Sequence, residues 1–155
     1  MRILITGGAG FIGSHIAGYY NGKAEVVVLD NLRSGSMKNL EGLNVEFIRG
    51  DVRDRVKLAR AMKNVDYVFH FAAMIGVPES MEQPLDCIDI NVNGTLMVLE
   101  EAARAGVKKL IYASSASIYG NNANSIRRED MCPDPDSNHK CYERQHECIC
   151  VPGEL

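Results

Sequence analysis

No stretch of the sequence comes near the roughly 20 consecutive apolar residues that a membrane-spanning helix needs. The opening MRILITGG is apolar only briefly and lacks a cleavage-like region, so it reads as a strand and not as a signal peptide. Charge of one sign is lacking too. Seventeen Lys and Arg against 20 Asp and Glu leave a net −3, which offers no electrostatic attraction for nucleic acid or an anionic membrane. There is no Cys-x-x-Cys, and four of the five cysteines (Cys132, Cys141, Cys148 and Cys150) fall in the last 24 residues. A secreted disulfide scaffold would spread its cysteines through a short chain, so reduced thiols and a cytoplasmic location are expected. No internal repeat is visible beyond an alternation of strand-like and helix-like segments.

That alternation is the main positive signal. At 155 residues, 46% hydrophobic and 24% charged, the chain suits one globular domain with a real core. Five short, nearly continuous apolar runs recur: RILIT (2–6), EVVVLD (25–30), VEFIRG (45–50), YVFHFA (67–72) and KKLIYAS (108–114). Continuous apolar runs, unlike alternating ones, mark strands buried on both faces of a parallel sheet. Helix-like segments lie between them at 11–20, at 53–63 and at roughly 86–105. The second puts Val56, Leu58, Ala59 and Met62 on or near one face, and the third is closed by Gly106 as a C-terminal cap. The stretch MIGVPESMEQP (74–84), with two prolines, reads as a loop. The expected fold is α/β, a doubly wound parallel sheet of the Rossmann type.

The stretch ITGGAGFIGSH directly follows the first strand and opens the first helix, with Gly7, Gly10 and Gly13 in Gly-x-x-Gly-x-x-Gly spacing. The first glycine permits a tight turn, the second lets backbone approach a pyrophosphate, and the third brings helix close to strand. The phosphates would lie at the helix N-terminus, where free N–H groups and the macrodipole favour negative charge. Asp30 closes the next strand, 23 residues after Gly7. A carboxylate there accepts hydrogen bonds from an adenosine ribose diol and repels a 2′-phosphate, which favours NAD over NADP. Arg33, three residues on, offers a guanidinium able to pair with a 2′-phosphate and keeps NADP open at this point.

Six segments, TGGAGFIGS, LDNLRSG, GDVRD, FHFAA, NVNGT and YASSASIYG, stand in the order and spacing of the extended short-chain dehydrogenase/reductase family. From residue 1 to about residue 135 the sequence resembles its NAD-dependent sugar-nucleotide epimerase and dehydratase branch, of the UDP-glucose 4-epimerase type. The resemblance implies NAD as cofactor, held by Gly7, Gly10, Phe11, Ile12, Gly13, Asp30, Asn31, Ser34, Gly35, Asp51, Val52, Phe71, Ala72, Ala73, Asn91 and Ser114. Asp51 and Val52 would contact the adenine, and Ala72 and Ala73 would line the path between the adenosine and nicotinamide halves. Asn91 would position the active site through the long helix. His70, inside an apolar strand, reads as a satisfied core histidine and not as a ligand. The resemblance also implies a nucleotide-sugar substrate for the full-length family. It leaves a homodimer open as well, since relatives often pair through two long helices, of which this chain carries the one ending near Gly106.

Family members carry a serine or threonine after the fifth strand, then a tyrosine with a lysine four residues later. The tyrosine exchanges a proton with a sugar hydroxyl, the lysine lowers its pKa, and the serine orients the substrate oxygen. YASSASIYG supplies the serine as Ser115, beside Ser114. The pair does not follow. MCPDPDSNHKCYER resembles the family's DPxSPYxxSK only as far as Ser137, with His139 in the tyrosine position and Glu143 in that of the lysine; Tyr142 is followed four residues on by His146. The histidines and cysteines of SNHKCYERQHECICVPGEL have a spacing that suits no common zinc knuckle, so no metal site is expected.

The expected organisation is an NAD-binding Rossmann domain over 1–136 and an atypical, poorly ordered tail over 137–155, with the substrate-binding domain absent. A shift of reading frame with early termination would account for the change near residue 138. The expected function is the NAD-binding part of a sugar-nucleotide epimerase or dehydratase, catalytically incomplete in this chain. The alternatives are a non-catalytic NAD-binding or regulatory module, or a non-functional truncated relic.

Overall fold

The computed structural model describes residues 1–115 together with Tyr119, Ile126, Arg128, Asp130 and Met131. Five strands, β1 (Arg2–Thr6), β2 (Glu25–Asp30), β3 (Val45–Arg49), β4 (Tyr67–His70) and β5 (Lys109–Tyr112), form one parallel sheet in the order β3-β2-β1-β4-β5. The chain runs outward from β1 to β3, then returns to place β4 on the other side of β1. This reversal opens a crevice beyond the carboxyl ends of β1 and β4, where open α/β sheets bind ligands.

Side-chain alternation along the inner strands explains why both faces must be covered. Leu4, Val27, Leu29 and Val68 point into one core with Leu58, Met62, Val98 and Ala102. Ile3, Ile5, Val26 and Val28 point into a second core with Ala17 and Leu40. The first is covered by α2 (Arg55–Ala61) and α5 (Gly94–Ala105), the second by α1 (Phe11–Tyr20). The doubly wound sheet is therefore as expected, and α1 has the predicted bounds.

Three local expectations are corrected. Within α2, Leu58, Ala61 and Met62 are buried, but Val56 is 81% exposed and Ala59 also faces outward. The helix starts at Arg55 because Asp54 caps it, accepting the Val56 and Lys57 N–H groups at 3.1 Å each; Leu58 and Met62 are buried as predicted, with Ala61 completing the face in place of Val56 and Ala59. Inside the presumed loop 74–84, residues Val77–Glu82 form a helix, α3, and Pro84–Ile88 form α4. Both prolines sit in first turns, where a missing N–H costs nothing and the fixed φ suits the helix. The long helix expected over 86–105 instead runs from α4 through a π-helical segment, Asp89–Asn93, into α5. Gly106 does end it, at φ 69°, with the Val107 N–H reaching Ala102 O at 3.0 Å.

Candidate functional site

The turn after β1 is built around close approach. Gly7 has φ +68°, and a Cβ there would lie 2.7 Å from both Ala72 N and Phe71 C. A Cβ on Gly13 would lie 2.4 Å from Gly7 O and 2.6 Å from Gly8 Cα. The glycines thus let the β1 turn touch the end of β4 and the first turn of α1 at once. No side chain caps α1, so its first-turn N–H groups lack intrahelical acceptors. Phe11 (79% exposed) and Ile12 stand open at that helix end.

Asp30 organises the next layer. It is only 7% exposed; Oδ2 accepts the Ala9 N–H at 2.9 Å and Oδ1 accepts the Leu32 N–H at 2.7 Å. Leu32 has φ 63°, unusual for a leucine, and the Asp30 bond holds it there. Ala9 O accepts from Ser36 N at 3.0 Å and from Asn39 Nδ2 at 2.8 Å, while a Cβ on Gly35 would lie 2.8 Å from Ala9 C. The Asn31–Gly35 loop therefore packs directly onto the glycine turn, which brings Gly7, Gly10, Gly13, Asp30, Asn31, Ser34 and Gly35 into one neighbourhood.

Asp51 Oδ1 accepts from Arg53 N (3.0 Å) and Nε (2.9 Å), and Oδ2 accepts from Arg53 Nη2 (2.9 Å) and Asn31 Nδ2 (3.0 Å). The Arg53 hydrogen bond, outweighing desolvation, holds the Asp51 carboxyl down at about 2. Arg53 Nη1 also reaches Asp86 (3.0 Å) and Asp89 (2.7 Å). Arg33 pairs with Asp86 at 2.7 Å and Glu79 at 2.9 Å. Sequence reasoning missed Arg53, Glu79, Asp86 and Asp89; the available signal was the arginine two residues after Asp51 and the acids spaced three apart at 86 and 89. Val52, by contrast, has its side chain in the core against α5.

At the other end of the crevice, the β4 exit carries Phe71, Ala72 and Ala73. Asn91, in the π-helical segment, clasps it: Oδ1 accepts Met74 N at 2.7 Å and Nδ2 donates to Met74 O at 3.0 Å. His70 is 2% exposed between two threonines, as a core histidine should be. Thr95 Oγ1 donates to Asn91 O at 2.6 Å, so it accepts from His70 Nε2–H at 3.0 Å. With Nδ1 then accepting from Thr6 Oγ1 at 2.6 Å, and Thr6 receiving the Ala72 N–H at 3.4 Å, this neutral tautomer satisfies the whole chain. It joins the β1 end, the β4 exit and the π-helical segment.

Ser114 and Ser115 follow β5 at its carboxyl end, the side of the sheet that bears the crevice. His139, Tyr142, Glu143, His146 and the cysteines Cys132, Cys141, Cys148 and Cys150 lie outside the described residues, as does the expected boundary at 136/137. Tyr-x-x-x-Lys spacing does occur once elsewhere, at Tyr19 and Lys23. That pair is at the C-terminal end of α1, about 15 Å of helix away from the glycine turn, with Lys23 Nζ stacked 3.6 Å from the Tyr19 ring centre. Among the described residues no group of three or more His, Cys, Asp or Glu side chains is placed to hold a metal ion, and no helix is long and apolar enough to cross a membrane.

The model of the NAD dependent epimerase/dehydratase family matches residues 3–149. The chain belongs to that family. A UDP-glucose 4-epimerase of Neisseria meningitidis serogroup C is 43% identical over 141 residues, covering 85% of this chain and 42% of the relative. The Thermus thermophilus UDP-glucose 4-epimerase, solved in complex with NAD, superposes with a TM-score of 0.85 at 38% identity, over 96% of this chain and 49% of that one. The Bifidobacterium longum UDP-glucose 4-epimerase, solved with NAD+ and UDP, gives 0.85 at 32% identity, over 96% and 48%. The chain thus spans less than half the length of these epimerase/dehydratase relatives.

Proposed function

We propose that this chain is the NAD-binding portion of a sugar-nucleotide 4-epimerase or dehydratase, and that it does not complete the reaction alone. The observation that carries the reading is the glycine-lined junction of the β1 turn with the β4 exit, beside an uncapped α1 and the Asp30 carboxylate. These residues fit a dinucleotide. The glycines let the turn, the first turn of α1 and the β4 exit pack together without side chains, so that backbone and the uncapped N–H groups of α1 are what this end offers a pyrophosphate. Gly7, Gly10, Phe11, Ile12 and Gly13 would hold the pyrophosphate. Asp30, Asn31, Ser34, Gly35 and the Asp51–Val52 backbone would hold the adenosine half, and Phe71, Ala72, Ala73, Asn91 and Ser114 the nicotinamide half.

When bound, NAD supplies the hydride acceptor for oxidation at C4 of a nucleotide-linked hexose. Ser115 would orient the sugar hydroxyl by hydrogen bonding. Moving the proton from that hydroxyl calls for a base, and no Tyr-x-x-x-Lys follows β5 in the sequence. A tyrosine without a neighbouring cation stays near its ordinary pKa of about 10 and is a poor base at neutral pH. The same observation favours a second reading, an NAD-binding module without redox work. We further propose a cytoplasmic location, supported by a cysteine distribution unlike that of a secreted disulfide scaffold, and homodimerisation through α5.

Calorimetry with NAD, followed by an assay of UDP-galactose and UDP-glucose interconversion, tests the reading. Binding without turnover is expected. A folded chain that binds no NAD removes both readings, and measurable turnover removes the claim of incompleteness.

A further inference from the structure

The arginine that could admit a 2′-phosphate is present, but it is not available. Arg33 follows Asp30 on the same loop, its N–H held by Asn31 Oδ1 at 2.9 Å. Its guanidinium is turned onto α3 and α4. Nε and Nη2 donate to Glu79 Oε1 at 3.2 and 2.9 Å, Nη2 also donates to Gln83 Oε1 at 3.3 Å, and Nη1 donates to Asp86 Oδ2 at 2.7 Å. One hydrogen on Nε, one on Nη1 and both on Nη2 are thereby engaged, four of the five a guanidinium has.

The surrounding charge points the same way. Arg33 and Arg53 face five carboxylates in this neighbourhood, Asp30, Asp51, Glu79, Asp86 and Asp89, so the cluster is net negative by three. A dianionic 2′-phosphate approaching the Asp30 end would meet net repulsion, with no free cation among these groups to answer it. Asp86 is the pivot, since it bridges Arg33 and Arg53 at 2.7 and 3.0 Å.

Resting on the NAD-site reading above, we propose that Glu79 and Asp86 are specificity-determining residues. They act from a helix pair remote in sequence by occupying Arg33, so that rejection of NADP depends on them as well as on Asp30. They touch neither ribose nor phosphate. Their effect runs through the guanidinium they hold.

The test is NAD and NADP affinity, by calorimetry on the full chain, for the parent, Glu79→Gln/Asp86→Asn, and the same double variant carrying Arg33→Ala. The amides keep the side-chain shapes but release the charge-assisted bonds. The ratio of NADP to NAD dissociation constants should fall about tenfold in the double variant, with NAD affinity changed by no more than about threefold. Adding Arg33→Ala should abolish most of that gain. In the parent, Arg33→Ala alone should leave the ratio within about twofold, because an occupied guanidinium contributes nothing to phosphate.

An unchanged ratio in a double variant that still binds NAD overturns the inference. So does a gain that survives Arg33→Ala, which would be a bulk charge effect. Should the double variant misfold, the parent comparison decides: a clear loss of NADP affinity on Arg33→Ala means Arg33 already reaches the phosphate, and the inference falls. A parent that binds no NAD removes the site reading, and this inference with it.

Discussion

Asp30 Oδ2 and Oδ1 accept the Ala9 and Leu32 backbone N–H groups, and the side chain is nearly buried. The acid at the end of β2 was legible from its position alone, but its structural role was not. It ties the glycine turn to the loop that follows β2, and it stabilises a leucine in the left-handed region. Its carboxylate keeps lone pairs beyond these two bonds, so holding the turn and accepting ribose hydroxyls are compatible. Replacing Asp30 with alanine therefore does more than alter cofactor preference. It leaves the buried Ala9 N–H and the half-buried Leu32 N–H without acceptors, at about 1–3 kcal/mol for the buried one before relaxation and less for the other. Urea unfolding of Asp30→Ala should show a loss of about 1–3 kcal/mol, along with weakened binding of NAD. A variant that loses NAD affinity with unchanged stability would show that Asp30 serves the ligand alone.

The elements differ in how far side chains announce them. β1, β2 and α1 were legible because their apolar pattern reports burial directly, on two sheet faces and on one helix stripe. Pro78 and Pro84 misled because proline opens a helix as readily as it breaks one, and the sequence pattern alone does not distinguish the two. The π-helical turn at Asp89–Asn93 had no pattern to read. It is a property of backbone hydrogen bonds, and its use, aiming Asn91 at Met74, appears only in three dimensions. Glycine shows the same contrast within one residue type. Gly7 and Gly106 share a φ near 70°, but a Cβ at Gly106 meets nothing within 4 Å, while at Gly7 it meets the β4 backbone. Gly106→Ala should cost only the left-handed strain, about 1 kcal/mol. Gly7→Ala adds a clash with backbone that cannot rotate away, so it should cost at least about 3 kcal/mol and disturb the crevice. Equal losses in parallel denaturation curves would refute the assigned β1–β4 contact.

Across the whole molecule, one set of ion pairs joins parts that the sheet and its two cores do not. Arg53 holds Asp51 beside β3 and reaches Asp86 and Asp89, more than 30 residues onward, where α4 passes into the π-helical segment. The cross-link ties the Asp51 end of the crevice to the helix that carries Asn91. Its pH dependence resides on the carboxylates, because the guanidinium stays protonated at every accessible pH. Asp51 sits at about 2 in the folded chain against an ordinary value of 3.8, chiefly through its Arg53 hydrogen bond. A depressed carboxyl pKa stabilises the fold fully above about pH 4, and that stabilisation is lost as pH falls towards 2. The linked free energy is about 2 kcal/mol. Asp86, lowered by Arg33 and Arg53, and Asp89, lowered by Asn93 and Arg53, add in the same direction. The parent should therefore lose about 2 kcal/mol more stability between pH 5 and pH 2 than Arg53→Met, whose Asp51 is released towards its ordinary value. Urea midpoints measured at intervals across that range decide it. Parallel pH profiles for the two proteins would mean that the cross-link does not couple the crevice to the fold, and that acid sensitivity arises elsewhere.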